Sequence, residues 1–484
     1  MTKFLKFTAL LLGVTAVVWG ATIWRWQATN RLISTNDIVV YLVVLPVLAF
    51  AAIALVVWVA AKRRTAAAAA TPAASGGAQA APTLPPQEPG HALILESSVA
   101  LSVGADASTV LATLAEGKTQ PELDDELRDD QGFPLLAGRV KSVDLSATED
   151  VLTPLLPLLA AKQPQWQGLR PSIGLTRALA LLADPLAAVV ETCSRHWAAI
   201  AEAGSTAADG RQPQRPAPGL ALVWGLPAAW SEHEQALARM WVAHLLKQSS
   251  LPQDGWQLSV EPMDSAEAHL LKVDQQLARW QQELRPGLLM ALACDSMLDE
   301  QRVEALARQS MLNTPNNAKG CVPGEGAAAA LLATPDWPGL DPSDPSLTRL
   351  HRMAMTRRDK SADAPGRIDP AMLTRACTDA VDYARLPAVE YSALVTDVDL
   401  RASRSTELSE SAMASLPDTD PVDQSYRLGL ACGDIGQARG LCCLALAAAQ
   451  VQAEKKPVLV MTVMHPHDRL AVALTPLPEP PPAA

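Results

Sequence analysis

The chain contains little Phe or Tyr, since its 484 residues include only four of each, against twelve Trp. The apolar share is nonetheless 49%. Ala and Leu supply much of that share, and both residues favour helices. Length and composition therefore predict a large Ala/Leu-rich core in which helices surround a buried sheet.

Any excess of positive charge is also missing. The chain has 40 Lys and Arg against 51 Asp and Glu, which gives a net charge of −11. No basic stripe runs along the sequence, so its charge pattern argues against a nucleic-acid partner. The acidic balance is typical of a solvated exterior.

Paired cysteine motifs are absent as well. The number of cysteines is odd, and no C-x-x-C pair occurs, which argues against a disulfide framework and a zinc site. The seven are Cys193, Cys294, Cys321, Cys377, Cys432, Cys442 and Cys443. The last two lie in an apolar helical pattern, where cysteine behaves as a small hydrophobic residue. This usage fits a reducing compartment.

Common catalytic signatures are missing too. The sequence has no P-loop, no G-x-S-x-G and no dinucleotide fingerprint, and Glu232-His233-Glu234 lacks the second histidine of a metalloprotease helix. His465-Pro-His467-Asp468 has metal-binding residue types, but it falls in a short turn between two predicted strands. An ordinary polar turn explains it better than a metal site. We therefore expect no cofactor and no metal.

Two long apolar runs occupy the amino-terminal region. Residues 7–24 are just long enough to span a bilayer, and residues 38–61 form a longer run. Five Lys or Arg flank the pair and two lie in the loop: Lys3, Lys6, Lys62, Arg63 and Arg64 against Arg25 and Arg31. The positive-inside rule then predicts a transmembrane hairpin over 1–64 with both ends in the cytoplasm. Alternatively, the first run is a cleaved signal peptide. Both interpretations place the remaining chain on the cytoplasmic side of the inner membrane.

The segments on either side of the soluble region have compositions that do not fold. Residues 65–90 are rich in Ala and Pro, which is typical of a tether, and the tail at 476–484 is rich in Pro. Between them, β-rich apolar runs predict strands at 92–103, 134–143, 219–225, 257–261, 287–294, 326–333, 390–397, 458–464 and 469–475. Helical patterns lie at 172–203, 231–248, 264–284 and 436–454. The alternation predicts parallel pairing, and 205–217 and 335–368 are expected to form surface loops.

One local pattern occurs twice. Pro-Gly-Glu-Gly-Ala-Ala-Ala at 323–329 and Gly-Asp-Ile-Gly-Gln-Ala-Arg-Gly at 433–440 each stand beside a helix and two strands. In this order they resemble the two halves of a thiolase or β-ketoacyl synthase, and the opening at 97–143 resembles the start of a ketoacyl synthase. The resemblance implies an α/β fold, the thiolase-like duplicated α-β-α-β-α layered sandwich. Its halves would be 91–335 and 336–475.

The residues that make this fold an enzyme do not match. The family carries a nucleophilic cysteine at the start of the helix that corresponds to 264–284, where this chain has Ser265. It carries Gly-His where this chain has Gly433-Asp434, and another histidine near 399–407, where none occurs. The sequence therefore predicts a degenerate site without catalytic residues, marked by Ser265, Glu325, Gly433 and Asp434. At Ser265 and Asp434, the simpler interpretation is a helix cap.

Architecture then suggests a function. A membrane anchor, a tether and a degenerate synthase-like domain resemble the lipase-adaptor-like proteins of type VI secretion, which implies a non-catalytic platform for a secreted effector such as a lipase, or for a spike component. One alternative is a condensing or acyl-transferring enzyme that uses Ser265 or a displaced cysteine such as Cys294 or Cys432. A second is an accessory subunit that binds an acyl carrier protein. The resemblance also allows a homodimer.

Overall fold

The computed structural model describes residues 91–129, 131–206, 216–252, 255–341 and 344–477. The predicted transmembrane hairpin, the tether and nearly all of the Pro-rich tail lie outside the described residues. Within those ranges one helical segment, Ile173–Ile200, is apolar and long enough to cross a membrane. Most of that segment is buried in the fold, as in the core helix of a globular domain.

The described residues form a mixed set of strands and helices. The strands are β1 (Ala92–Leu101), β2 (Glu122–Arg128), β3 (Pro134–Ala137), β4 (Gly219–Pro227), β5 (Trp256–Met263), β6 (Gly287–Ser296), β7 (Glu325–Ala333), β8 (Thr348–Leu350), β9 (Ala354–Arg357), β10 (Ala393–Thr396), β11 (Ser425–Arg427), β12 (Val458–Thr462) and β13 (Asp468–Pro476). The helices are α1 (Ala107–Glu116), α2 (Ser146–Lys162), α3 (Ile173–Thr206), α4 (Glu232–Gln248), α5 (Ala266–Gln282), α6 (Glu300–Arg308), α7 (Ala371–Ala384), α8 (Ala402–Ser415), α9 (Leu428–Cys432) and α10 (Arg439–Glu454).

The main sheet consists of two halves with the same strand order. The first half runs β5-β4-β6-β7-β1, and the second runs β11-β10-β12-β13 and ends with β9 beside β13. When the five strands of each half are numbered in chain order, their order across the half-sheet is third, second, fourth, fifth and first in both halves. In both, the fifth strand is antiparallel to its neighbours, and the second is parallel to the third and fourth. This agreement bears out the predicted repeat.

The short strand β8 joins the two halves, because it pairs with both β1 and β13. The predicted parallel pairing is wrong for β7 and β13. The turn between β12 and β13 is too short for a crossover connection, so these strands form an antiparallel hairpin.

Helices cover both half-sheets in layers. Helices α2, α3 and α4 pack on the outer face of the first half-sheet, and α7 and α8 pack on the outer face of the second. Between the half-sheets lie α1, α5 and α10. Strand β6 shows why its sequence is a continuous apolar run, since Leu288, Met290 and Leu292 face the outer layer while Leu289 and Ala291 face the central one. Helix α10 is apolar around most of its surface because it is enclosed.

Several expectations need correction. The stretch 335–368 is not simply a loop, because it contains β8 and β9, whose short and partly charged sequences carry no strand pattern. The predicted strand 134–143 is only β3, paired with β2 in a separate two-stranded sheet. The segment near 399–407, expected as a loop, enters α8 at Ala402. The division into domains at 335/336 falls between β7 and β8 and stays a prediction.

Candidate functional site

Ser265 lies where β5 passes into α5, the position at which the resemblance expects a cysteine. Its backbone is extended, and its Oγ accepts a hydrogen bond from the N–H of Ala268 at 3.1 Å, so it caps the helix. The same hydroxyl donates to Oδ2 of Asp468 at 2.9 Å. Both side chains are buried. The hydroxyl is thus fixed by two partners.

Asp468 comes from the His-Pro-His-Asp turn at the start of β13. Its other oxygen forms an ion pair with Arg357 on β9. Nδ1 of His465 lies 3.4 Å from Oδ2 of Asp468, and it accepts the backbone N–H groups of His467 at 3.3 Å and Asp468 at 2.9 Å. Burial lowers the pKa of His465. This turn, expected to be unremarkable, is therefore part of the site, but sequence alone gives no sign that it meets Ser265.

A second charged group lies beside Ser265. Arg439, in the first turn of α10, donates to Glu267 at 2.9 Å, and its Nε lies 3.1 Å from Oδ2 of Asp397. The N–H of Val463 also donates to Asp397 at 2.7 Å. Burial raises the pKa of Asp397 to about 7, against the opposing effect of Arg439. The sequence does indicate this charged group, because a single arginine in a largely apolar helix requires a buried partner.

The two glycine-containing motifs meet beside this site. The N–H of Gly324 donates to the carbonyl of Asp434 at 2.9 Å, and the N–H of Asp434 donates to Val322 at 2.7 Å. Gly433 has φ 69°, and a Cβ there would lie 2.6 Å from the carbonyl oxygen of Val322, so only glycine fits. The Asp434 carboxylate accepts the N–H of Gly436 at 3.0 Å, at the entrance to the turn that leads into α10.

The space between these groups is closed. In the region bounded by Asp397, Gly433, Asp434, Arg439 and Met464, the volume open to a water molecule is about 0 Å³. Larger cavities of about 870, 790 and 590 Å³ lie elsewhere, and none of their linings includes Ser265, Glu325 or Asp434. An acyl chain therefore has no open path to Ser265 along these cavities.

Glu325 lies at the start of β7, where it makes buried contacts between elements and does not line an open site. Its side chain is fully buried, and Arg177 on α3 binds both of its oxygens. The N–H of Val140 and the hydroxyl of Ser296 donate to it at 2.9 Å and 2.8 Å. With four donors around it, Glu325 connects β7, α3, β6 and the segment after β3.

The thiols considered as substitutes are poorly suited to nucleophilic attack. All seven cysteines are free and buried. Burial raises the pKa of Cys432 to about 11 and that of Cys294 well above its ordinary value. A thiol needs to be a thiolate to attack, so neither is activated at neutral pH. In the described ranges, no group of three His, Cys, Asp or Glu is arranged to hold a metal.

No family model matches the sequence, and no curated protein matches it. Solved structures do match. The ishigamide ketosynthase/chain length factor has a TM-score of 0.50 at 13% identity, over 80% of this chain and 100% of that one. The ketosynthase from module 6 of the bacillaene synthase of Bacillus subtilis has a TM-score of 0.51 at 11% identity, over 80% and 72%. A β-ketoacyl synthase from Burkholderia phymatum has a TM-score of 0.50 at 11% identity, over 80% and 100%. The described part of this chain therefore has the mixed α/β fold of the thiolase-like ketosynthases.

Proposed function

We propose that this protein is a non-catalytic subunit of ketosynthase fold that works by binding another protein. The observation that carries the proposal is the state of Ser265. Its hydroxyl lies where the resemblance expects the nucleophile, donates to the carboxylate of Asp468, and is buried together with that carboxylate. A serine becomes a nucleophile when a neighbouring base takes its proton and the substrate reaches its oxygen.

The neighbouring groups supply no such base. Both oxygens of Asp468 are already engaged, one by Arg357 and the other by the hydroxyl of Ser265 itself. Nδ1 of His465 is occupied by two backbone N–H donors. Asp434 stands where the family has a histidine, and a carboxylate there would repel a developing oxyanion instead of stabilising it. These contacts favour a binding role over the condensing-enzyme alternative.

The ketosynthase fold also favours one class of partner. It gives no support to a secretion adaptor, whereas it fits the alternative of a ketosynthase-like accessory subunit. The ishigamide structure is described as a ketosynthase/chain length factor. By analogy, we propose a second chain of ketosynthase fold as the partner, either another protein or a second copy. The cytoplasmic face of the inner membrane stays the proposed location, on the strength of the amino-terminal apolar runs and the unpaired cysteines.

Strand β5 offers an edge for this pairing. It ends one side of the main sheet and, within the described residues, pairs only with β4. Leu258 on β5 is 51% exposed, an unusual setting for a large apolar side chain on a strand. Beside it, Lys272 and Glu261 form a surface ion pair at 3.2 Å. An unpaired edge with an exposed leucine is suited to pairing with another chain.

We expect Leu258→Glu to weaken this pairing at least tenfold, because it places an unpaired carboxylate in the interface. The full-length protein, purified in detergent, is compared with the variant by sedimentation velocity, alone and with ketosynthase chains from the native host. Met413→Glu, at another exposed apolar position on α8, is the control and keeps wild-type association. A wild type that pairs with neither itself nor a ketosynthase chain contradicts the proposed partner. So does equal weakening by both variants.

A further inference from the structure

Two buried carboxylates share one arginine beside Ser265. Arg439, at the start of α10, donates from Nη2 to Glu267 in the first turn of α5 at 2.9 Å, and its Nε lies 3.1 Å from Asp397, which follows β10. The exposed fraction is 0% for Glu267, 2% for Asp397 and 8% for Arg439. If both carboxylates were ionised, these three side chains, the buried trio, would carry a net charge of −1. An unbalanced charge in the interior is costly.

Hydrogen bonding compensates only one of the two carboxylates. Asp397 accepts the N–H of Val463 at 2.7 Å and that of Met464 at 3.3 Å. Oε1 of Glu267 is buried and has no hydrogen-bond partner among the described residues. A charged carboxylate without water needs donors at both oxygens. The geometry therefore favours a closed state in which the two carboxylates together hold one proton.

The charged groups on the surrounding elements do not balance the trio. Three neighbouring carboxylates have an arginine of their own: Asp468 with Arg357, Asp399 with Arg401, and Asp295 with Arg302. Asp434, half-buried just before α10, adds a negative charge that acts on Arg439. These neighbours therefore bring no spare cation to the two carboxylates.

The remaining titratable neighbours supply no counter-charge either. Nδ1 of His465 accepts two backbone N–H groups, and burial lowers its pKa. Burial raises the pKa of the Cys443 thiol on α10. Beyond Met464, Arg404 is engaged by Asp363 at 2.7 Å. The imidazole and the thiol are therefore neutral at neutral pH, and the arginine is already paired.

We propose that Glu267, Asp397 and Arg439 form a proton-dependent latch on the closed space beside Ser265. One proton, held by the two carboxylates, balances the trio and keeps α5, α10 and the segment after β10 together. When that proton is lost, repulsion between the carboxylates favours an open state in which water reaches them. The latch is a property of this chain alone and needs no partner protein.

The direction of the pH dependence follows from Asp397. Burial raises its pKa from 3.8 to about 7, against the opposing effect of Arg439. In an open, hydrated state this carboxyl titrates near its ordinary value, so the closed state binds the proton more tightly. The closed state is therefore most favoured in acid, and opening becomes easier as the pH rises from 3.8 towards 7.

Hydrogen–deuterium exchange of the full-length protein, followed by mass spectrometry, tests the latch. Exchange is measured at pH 5.0 and pH 7.5, with exchange times scaled for the intrinsic rate at each pH. For peptides covering 434–446 and 458–468, we expect the population of the open state to be about tenfold higher or more at pH 7.5. Peptides from α4, in the outer layer, report any change in the stability of the whole fold and should change little.

Three variants complete the test. Glu267→Gln leaves Arg439 with a single carboxylate and should abolish the difference between the two pH values, and Asp397→Asn should do the same. Asp274→Asn is the matched control, because Asp274 is equally buried but has Arg352 to itself, so this variant keeps the wild-type response. Equal protection of the wild type at both pH values would overturn the proposal. So would a full response in Glu267→Gln and Asp397→Asn.

Discussion

Replacing Glu325 by alanine is expected to lower the free energy of unfolding by about 3–5 kcal/mol. The change removes a fully buried carboxylate but leaves its partners in place. Arg177 then holds an uncompensated charge in the core, and the N–H of Val140 and the hydroxyl of Ser296 lose their acceptor. An unpaired buried charge costs more than the lost bonds alone. We expect urea unfolding of the full-length protein, followed by Trp fluorescence, to show this loss.

Two further variants distinguish the effect of leaving Arg177 unpaired in the core from the general effect of removing a carboxylate. Glu122→Ala removes the partner of Lys141 in an exposed ion pair and should leave the unfolding midpoint unchanged. The double change Glu325→Leu with Arg177→Met replaces the pair by apolar side chains and should recover part of the stability. If Glu325→Ala behaves like Glu122→Ala, Glu325 does not hold these elements together.

His269 is expected to make the fold less stable in acid. Its side chain is fully buried on α5, and burial lowers its pKa from 6.5 to about 4. The unfolded chain therefore binds a proton near pH 6.5, while the folded protein binds it only near pH 4. The contribution of His269 to stability is complete above pH 6.5 and is lost as the pH falls towards 4. The loss amounts to about 3 kcal/mol, at 1.36 kcal/mol per pH unit.

His269→Gln should remove this dependence. The glutamine amide can still donate to the carbonyl of Val223, which Nε2 of His269 approaches to 3.3 Å, but it does not titrate. The free energy of unfolding is measured for both proteins at pH 7 and at pH 4.5. Carboxylates titrate alike in both, so the difference isolates His269. Equal losses in wild type and variant would contradict this prediction, because they would show that His269 binds its proton equally well in the folded and unfolded protein.

The long apolar elements could be predicted from the sequence because each carries its own pattern. Strands β4, β6, β7 and β12 are buried on both faces and appear as uninterrupted apolar runs. Strands β8 and β11 could not be predicted, because each has only three residues and contains a charged side chain. Their pairing depends on neighbouring strands from distant parts of the chain.

Some features of the candidate site could likewise be predicted from the sequence, and others could not. A substitution such as Ser265 is visible once the order of helix and strands is recognised, and a serine at a helix start is readily predicted as a cap. The bond from Ser265 to Asp468 joins residues 203 positions apart and leaves no trace in local sequence. The Gly-rich motif at 323–329 predicts that Glu325 belongs to the degenerate site. Its position in an Ala-rich buried strand indicates its role more accurately, because a carboxylate buried there needs a cation as a partner.

The central claim is that Ser265, which lies where the resemblance expects a nucleophile, does not accept an acyl group. It is tested most directly by incubating the full-length wild type and Ser265→Cys with hexanoyl-coenzyme A and measuring their intact masses. The serine is buried and its hydroxyl is held by Asp468, so a thiol in its place would be enclosed beside a carboxylate, which disfavours the thiolate. Neither protein should gain the mass of a hexanoyl group. A hexanoyl adduct mapped to position 265 in either protein would contradict the account.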